Sequence, residues 1–222
     1  EIVGVAGLVG SGKSELALAL AGGLPAQGLV RVDGKIVDLR SPRRAVRRGI
    51  GFVPEDRKRS AIFPTRSVRQ NLSLAWMALL VRIGIVDVHE ERRMVNRTVE
   101  QFSVRTPTIE RAIVQLSGGN QQKVILGRTF ALSPGVVVLA EPTRGIDVGA
   151  KSEVYQFIQR MSAEGAAVLM SSSELPELLG VADRILVMFR GRIRAEFDAQ
   201  ATDEETIARV AFGGAEIEDA AP

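Results

Sequence analysis

The stretch GLVGSGKSE, residues 7–15, has the residue types and the spacing that bind the phosphates of a nucleotide. Gly7, Gly12, Lys13 and Ser14 occupy the fixed positions of the pattern G-x-x-x-x-G-K-[ST]. Glycines at these positions let backbone N–H groups curl around phosphate oxygens, and the helix that follows adds the positive end of its dipole. The lysine of such a loop reaches the β- and γ-phosphates, and the serine hydroxyl is a ligand of Mg²⁺. The stretch therefore predicts a site for a nucleoside triphosphate and Mg²⁺.

A second stretch, VVVLAEPTRG at residues 136–145, predicts a buried strand that ends in one acid where two are usual. The apolar run leads into Ala140 and then Glu141. In a nucleotide-hydrolysing protein with this kind of loop, an aspartate after the strand helps to hold the Mg²⁺ ion. Because alanine cannot do so, we expect a site that holds nucleotide and hydrolyses it slowly.

The elements that position these residues alternate between strand and helix. The phosphate loop lies between an apolar strand, Glu1–Ala6, and a helix predicted over Glu15–Ala21. Residues 67–131 are mostly helical by pattern, and Ser117 is the predicted N-cap of a helix there. The other predicted elements are a hairpin turning at Asp33-Gly34, a strand ending at Pro54, the strand Val136–Ala140, a helix over Ser152–Met161, strands in AAVLMSSSE and DRILVMF, and a short helix near Asp203–Phe212.

Composition narrows the class of protein. A chain of 222 residues can build one full core with a small subdomain. Its 29 basic and 26 acidic residues are interleaved, and no basic run is backed by stacking aromatics, which argues against a nucleic-acid partner. There is no cysteine, as suits a reducing compartment, and no apolar run approaches the length of a membrane-spanning helix.

Five stretches in collinear order resemble the nucleotide-binding domain of ABC transporters, and within that family the second half of monosaccharide-importer ATP-binding subunits. These stretches cover nearly the whole chain and are GLVGSGKSEL, VPEDRKR, LSGGNQQKV, EPTRGIDVGAK and SSELPELLGVADRI. Such subunits carry two similar halves in one polypeptide, so the resemblance implies that this chain is the C-terminal half of a longer protein. It also implies ATP and Mg²⁺ as the bound species.

The resemblance assigns the phosphate-binding role to one continuous loop. Its residues are Gly7, Gly10, Ser11, Gly12, Lys13, Ser14 and Glu15. Within this set Lys13 is also expected to act in catalysis, and Ser14 to bind the metal ion. Glu55 stands where most ABC proteins have the Q-loop glutamine, and we expect its carboxylate to reach Mg²⁺ in place of the missing acid.

The remaining carried-over residues belong to two different ATP sites. Ser117, Gly118 and Gly119 match the signature motif, which closes over the γ-phosphate held by the opposite half.

Glu141 matches the general base that polarises the attacking water, and Asp147 matches the D-loop aspartate. Two further positions depart from the family, because Ala140 replaces the Walker B aspartate and Ser173 replaces the switch histidine.

We therefore expect an α/β fold. It consists of a P-loop, RecA-like core over residues 1–66 and 132–200 with a parallel sheet, a small antiparallel β piece, an inserted helical subdomain over 67–131 and a C-terminal tail over 201–222. His89 is expected at the surface, since no acid or cysteine pattern accompanies it. Trp76 is expected to pack between helices.

The implied partners are the other ATP-binding half in a head-to-tail dimer, a membrane permease and, indirectly, a periplasmic sugar-binding protein. The implied location is the cytoplasmic face of the bacterial inner membrane. The alternatives are a nucleoside importer with the same two-half plan and a regulatory module that binds ATP without hydrolysing it. A soluble ABC ATPase of DNA repair or translation usually has long coiled-coil or zinc-bearing insertions, which this sequence lacks.

Overall fold

Strands and helices alternate along most of the chain, as its apolar pattern predicts. The computed structural model describes residues 1–82 and 85–214. The strands are β1 (Ile2–Ala6), β2 (Val30–Val32), β3 (Lys35–Val37), β4 (Ile50–Val53), β5 (Val81–Arg82), β6 (Ile85–Val86), β7 (Val136–Ala140), β8 (Ala167–Ser171), β9 (Arg184–Phe189) and β10 (Arg192–Asp198). The α-helices are α1 (Lys13–Leu20), α2 (Pro42–Arg47), α3 (Val68–Ser73), α4 (Met77–Leu80), α5 (Val88–Gln101), α6 (Gly118–Phe130), α7 (Val148–Ala163), α8 (Leu175–Val181) and α9 (Glu204–Ala211).

Contacts divide the described chain into two units. The first contains Glu1–Phe52, Gly135–Pro142 and residues 158–214, and the second contains Val53–Pro134 and Thr143–Phe157.

A six-stranded sheet in the order β10-β9-β1-β8-β7-β4 forms the centre of the first unit. β1 pairs in parallel with both β8 and β9, and β7 pairs in parallel with β8. Parallel strands share one carboxyl edge, and ligands of such sheets bind outside that edge. The ends of β1, β7 and β8, which are Ala6, Ala140 and Ser171, therefore lie along one edge.

One face of this sheet packs against α1 and α2 through an apolar cluster. Its buried members are Ala17, Ala45, Ile50, Val138 and Ala140. Val138 and Ala140 belong to the same cluster because alternate residues of a strand face the same side. The predicted parallel sheet is confirmed, and Ala140 is part of its hydrophobic packing.

Two hairpins add antiparallel pieces to the first unit. β2 and β3 turn at Asp33 and Gly34, both with positive φ, 51° and 73°, as the Asp-Gly signal predicts. β10 pairs antiparallel with β9 after a similar turn at Arg190 and Gly191, with φ of 49° and 76°. Our sequence prediction missed β10, because Arg-Gly is not a strong hairpin signal as Asn-Gly or Asp-Gly is.

The second unit is mainly helical. Ser67 and Gln70 form a reciprocal capping box at the start of α3. Trp76 is fully buried and its indole Nε1 donates to the carbonyl of Arg128 at 3.2 Å, so the prediction that it packs between helices is confirmed. The stretch predicted to be helical also contains β5 and β6, a short antiparallel pair of strands that the apolar pattern did not reveal.

The division of the chain differs from the predicted boundaries of 67 and 131. The second unit begins at Val53 and also takes Thr143–Phe157. Side-chain contacts join residues on the two sides of each predicted boundary. The buried amide of Asn71 bonds the backbone of Phe63 in both directions, at 2.9 and 3.1 Å, and Lys123 pairs with Glu153.

The predicted tail from residue 201 contains α9, whose N-cap Asp203 accepts from the backbone N–H of Thr206 at 2.8 Å. Residues 215–222 of that tail lie outside the described residues. His89 is exposed, as predicted. None of the helices described is both long and apolar enough to cross a bilayer.

Candidate nucleotide-binding site

The phosphate loop lies between β1 and α1, at the carboxyl edge of the sheet. Gly12 is the N-cap of α1 and has φ of 106°, a backbone conformation that favours glycine. The loop tightens through a bond from the Ser11 N–H to the Leu8 carbonyl at 3.0 Å. Its outer face is open, because a side chain at Gly10 would meet no described atom within 4 Å. This open, glycine-containing loop at a helix N-terminus fits a phosphate group.

The turn between β9 and β10 packs against the phosphate loop. The Gly191 N–H donates to the Ser11 carbonyl at 2.7 Å. A Cβ at Gly12 would lie 3.2 Å from the Gly191 Cα, and a Cβ at Gly7 would lie 2.5 Å from the Met188 carbonyl oxygen. The glycines of the motif therefore also permit close backbone packing against this turn. Sequence reasoning missed this support.

Lys13 and Glu141 come together although they lie far apart in the sequence. The Lys13 ammonium is 3.4 Å from Glu141 Oε1 and 3.1 Å from the Ser172 carbonyl oxygen. Both side chains are largely buried, with 7% and 12% of their surface exposed. The lysine that we expect to bind phosphate is therefore paired with a carboxylate of the same chain.

The other oxygen of the Glu141 carboxylate is bound by Ser173. Glu141 Oε2 accepts from the Ser173 N–H at 3.0 Å and from its hydroxyl at 3.1 Å. Glu141 itself has φ of 47°, which is uncommon outside glycine. The serine at the expected histidine position thus contacts the candidate general base directly.

A buried serine–glutamate pair fixes the segment that carries Ser173. The Ser172 hydroxyl donates to Glu177 Oε2 at 2.8 Å and accepts from the Glu174 N–H at 3.0 Å. Ser172 is fully buried and Glu177 nearly so. No pattern in the sequence indicates this pair, since a Ser-Glu spacing of five residues has no regular meaning outside a helix.

The metal-binding capacity of this part of the chain is small. Ala140 is 3% exposed and its methyl group can hold no ion. Among residues 1–82 and 85–214, no group of three or more His, Cys, Asp or Glu side chains could hold a metal ion. Ser14 lies in the first turn of α1, as the motif requires. These residues fit an Mg²⁺ ion that arrives on phosphates and keeps most of its waters, rather than a cage built by the protein.

The predicted signature residues lie in the second unit, at the start of α6. The Ser117 side chain accepts the N–H of Asn120, which confirms it as the N-cap. The Asn120 amide also donates to the Ser117 hydroxyl at 2.9 Å and accepts from the Arg105 N–H at 2.7 Å. These bonds hold the helix terminus in place while the first N–H groups of α6 point along its axis.

Gly118 and Gly119 have no room for side chains. A Cβ at Gly118 would lie 3.0 Å from both Arg57 Nη2 and the Gly145 carbonyl oxygen. A Cβ at Gly119 would lie 2.5 Å from the Ala150 Cβ. Asp147, the predicted D-loop residue, accepts from the Ala150 N–H at 3.0 Å and so helps to position the residue that faces Gly119.

Glu55 is also in the second unit and forms an ion pair with Arg144. Both line a cavity of about 270 Å³ with Asp56, Arg57 and Lys58. Burial lowers the pKa of the Arg57 guanidinium, since it disfavours the charged form. Arg57 was not among the predicted site residues, although the stretch VPEDRKR contains it.

Comparison with known proteins agrees with this arrangement. Residues 1–144 match the family described as ABC transporter. The chain is 42% identical over 215 residues to the ribose import ATP-binding protein RbsA of Geobacillus kaustophilus, covering 96% of this chain and 44% of that protein. It is 47% identical over 215 residues to the arabinose import ATP-binding protein AraG of Rhizobium meliloti, covering 96% of this chain and 42% of that protein. The chain therefore spans less than half the length of these relatives.

Solved structures share the fold. The dimeric post-hydrolysis structure of the ATP-binding cassette MJ0796, bound to ADP and Pi, has a TM-score of 0.76 at 22% identity and covers 91% of this chain and 87% of that one. The cbiO1 structure from Clostridium perfringens has a TM-score of 0.73 at 24% identity, covering 96% and 81%. Together with the matched motifs and the parallel sheet, these findings establish that the chain belongs to the ABC transporter family, among the relatives of sugar import ATP-binding proteins.

Proposed function

We propose that this chain is the second ATP-binding half of a bacterial sugar ABC importer, and that it contributes its signature motif to ATP held by the other half. The names of its relatives support sugar import, since they are ribose, arabinose and ribose/galactose/methyl galactoside import proteins. The 44% coverage of a relative supports the half assignment. The observation that supports different roles for the signature motif and for the chain's own ATP pocket is the contrast between their residues. The signature helix retains its serine cap and both glycines, whereas β7 ends in Ala140.

The chain's own pocket binds ATP with the phosphate loop and hydrolyses it slowly. Lys13 contacts the β- and γ-phosphates, Ser14 binds Mg²⁺, and Glu141 orients the attacking water. The loss of one preorganised group at such a site typically lowers the rate by ~10²–10³. Because Ala140 supplies no carboxylate and Ser173 no imidazole, the isolated chain turns ATP over barely above background.

Glu55 is the candidate for a substitute ligand of Mg²⁺. Its carboxylate is paired with Arg144, so the ion would have to compete with a guanidinium for it. The partners are the other ATP-binding half in a head-to-tail dimer, a membrane permease and, through it, a periplasmic sugar-binding protein. The chain would then be peripheral to the membrane, on its cytoplasmic face.

A regulatory module that binds ATP without turnover is the second candidate. Ala140 and the Lys13–Glu141 pair favour it, because one removes a metal ligand and the other engages the phosphate-binding lysine. Titration of the isolated chain with ATP, with and without Mg²⁺, beside a phosphate-release assay separates the candidates. Binding with no release at any enzyme concentration would favour the regulatory module.

The division of labour is tested in the full-length subunit by comparing Gly118→Asp with Lys13→Ala in a sugar-uptake assay. Gly118→Asp is expected to abolish uptake, since a side chain there meets Arg57 and the Gly145 carbonyl. Lys13→Ala is expected to lower uptake several-fold only, because it affects the slower pocket.

Lys35→Ala, which removes an exposed lysine of β3, is the control and should leave uptake unchanged. If Lys13→Ala lowers uptake as much as Gly118→Asp does, the productive site has been assigned to the wrong half.

A further inference from the structure

Arg57 is a partly buried basic residue, and none of the roles described above involves it. Its Nε and Nη1 atoms are buried and, within the described part of the chain, have no hydrogen-bond partner. Such donors are normally satisfied, because an unpaired buried polar group destabilises the folded state. The position of Arg57 therefore calls for an acceptor that the chain itself does not supply.

The nearest acids in the sequence are engaged by other bases. The Asp56 carboxylate accepts from the Arg59 N–H at 3.0 Å and lies 3.8 Å from Arg59 Nε. Glu55 pairs with Arg144. Arg57 opens a π-helix, Arg57–Ala61, a rare element that is frequent at functional sites.

Arg57 also lies beside the signature helix. A Cβ at Gly118 would be 3.0 Å from Arg57 Nη2, so the guanidinium borders the first residue of α6. The N-terminus of a helix of this length carries a partial positive charge. A guanidinium and a helix N-terminus side by side attract the same kind of ligand, an anion with several acceptor oxygens.

We propose that Arg57 binds the terminal phosphate of the nucleotide that the signature motif approaches, as a second cationic ligand beside the N-terminus of α6. This inference rests on the proposed function, in which that nucleotide is held by the other half. Turning the side chain toward the phosphate breaks no hydrogen bond at Nε or Nη1, because those atoms have none to lose. The planar fork of arginine matches phosphate oxygens, and an arginine at this place stabilises charge as the phosphoryl group is transferred.

The test measures ATP hydrolysis by the full-length two-half subunit with Arg57→Gln, Arg57→Lys and the matched control Arg59→Gln. Arg59 is in the same π-helix, exposed, and already paired with Asp56. Arg57→Gln is expected to lower kcat by ~100-fold, the scale of losing one preorganised donor. Arg57→Lys should recover part of that loss, and Arg59→Gln should stay within twofold of the unchanged subunit.

Thermal unfolding separates a phosphate ligand from a structural residue. Removing an unpaired, partly buried charge should leave the melting temperature of this chain unchanged or raise it. A fall in both kcat and melting temperature, without rescue by lysine, would overturn the inference.

Two further outcomes identify which proposal is wrong. If Gly118→Asp abolishes hydrolysis and Arg57→Gln leaves it intact, only the inference about Arg57 fails. If Gly118→Asp also leaves hydrolysis intact, the proposed function is wrong, and so is the inference about Arg57 that rests on it. Loss of sugar uptake in Arg57→Gln with normal ATP hydrolysis would instead assign Arg57 to a carboxylate of the permease, and would overturn phosphate binding.

Discussion

Glu141→Gln should tighten the binding of ATP to the isolated chain. The Lys13 ammonium lies 3.4 Å from the Glu141 carboxylate in the structure. Phosphate binding requires that ammonium, so ATP has to replace the carboxylate as its partner. Glutamine keeps the shape of the side chain and its bond from Ser173, but it removes the negative charge that competes with phosphate.

The size of the effect follows from the geometry. Two unit charges 3.4 Å apart attract by about 5 kcal/mol at an effective dielectric constant of ~20. Most of this is recovered when phosphate takes the place of the carboxylate. What remains is repulsion between a retained carboxylate and the new phosphate, and we expect about 1.4–2.7 kcal/mol, which is a 10- to 100-fold decrease in Kd.

The assay is calorimetric titration of the 222-residue chain with ATP in the absence of Mg²⁺, so that hydrolysis does not interfere. Ser173→Ala is the control, because it removes one hydroxyl donor at 3.1 Å and keeps the charge of Glu141. Its Kd should change by less than about threefold, the scale of one exposed hydrogen bond. In a Lys13→Ala background the gain from glutamine should persist, because the repulsion between the carboxylate and the phosphate does not depend on the ammonium. An unchanged or weaker affinity in Glu141→Gln would refute the competition between carboxylate and phosphate.

Two further predictions concern stability. Ala140→Asp places a carboxylate in the apolar cluster of Ala17, Ala45, Ile50 and Val138, and should lower the free energy of unfolding by about 1–3 kcal/mol in urea titrations at pH 8. Burial would raise the pKa of that aspartate, so the loss should shrink at pH 5; a loss of equal size at both pH values, or none, would contradict this reasoning. Gly119→Ala should lower the melting temperature by several degrees through overpacking, since its Cβ would lie 2.5 Å from that of Ala150. Gly135→Ala, whose Cβ would meet nothing within 4 Å, is the matched control. Equal melting temperatures for the two variants would show that α6 and α7 move apart at no measurable cost in stability.

Much of the fold and the motif-bearing part of the site could be predicted from the sequence, because their signals are local. Glycine, lysine and serine at fixed spacing between a strand and a helix predicted the phosphate loop. The Asp33-Gly34 pair predicted a hairpin because both positions require positive φ. Ser117 ahead of a polar helical run predicted the cap of α6. Each of these features depends on residues within a few positions of one another.

Only the tertiary structure decided which of these residues meet. Lys13 and Ser172 are 159 positions apart, and the chain brings them within 3.1 Å because β1 and β8 are neighbours in a parallel sheet. The turn behind the phosphate loop and the contact between Arg57 and Gly118 likewise join residues far apart in the sequence. The limits of the helical unit, Val53 and Phe157, also differ from the predicted ones, since contacts between distant parts of the chain, rather than helical periodicity, define a compact unit. Local propensity determines which elements form, whereas the packing of those elements determines which side chains share a site.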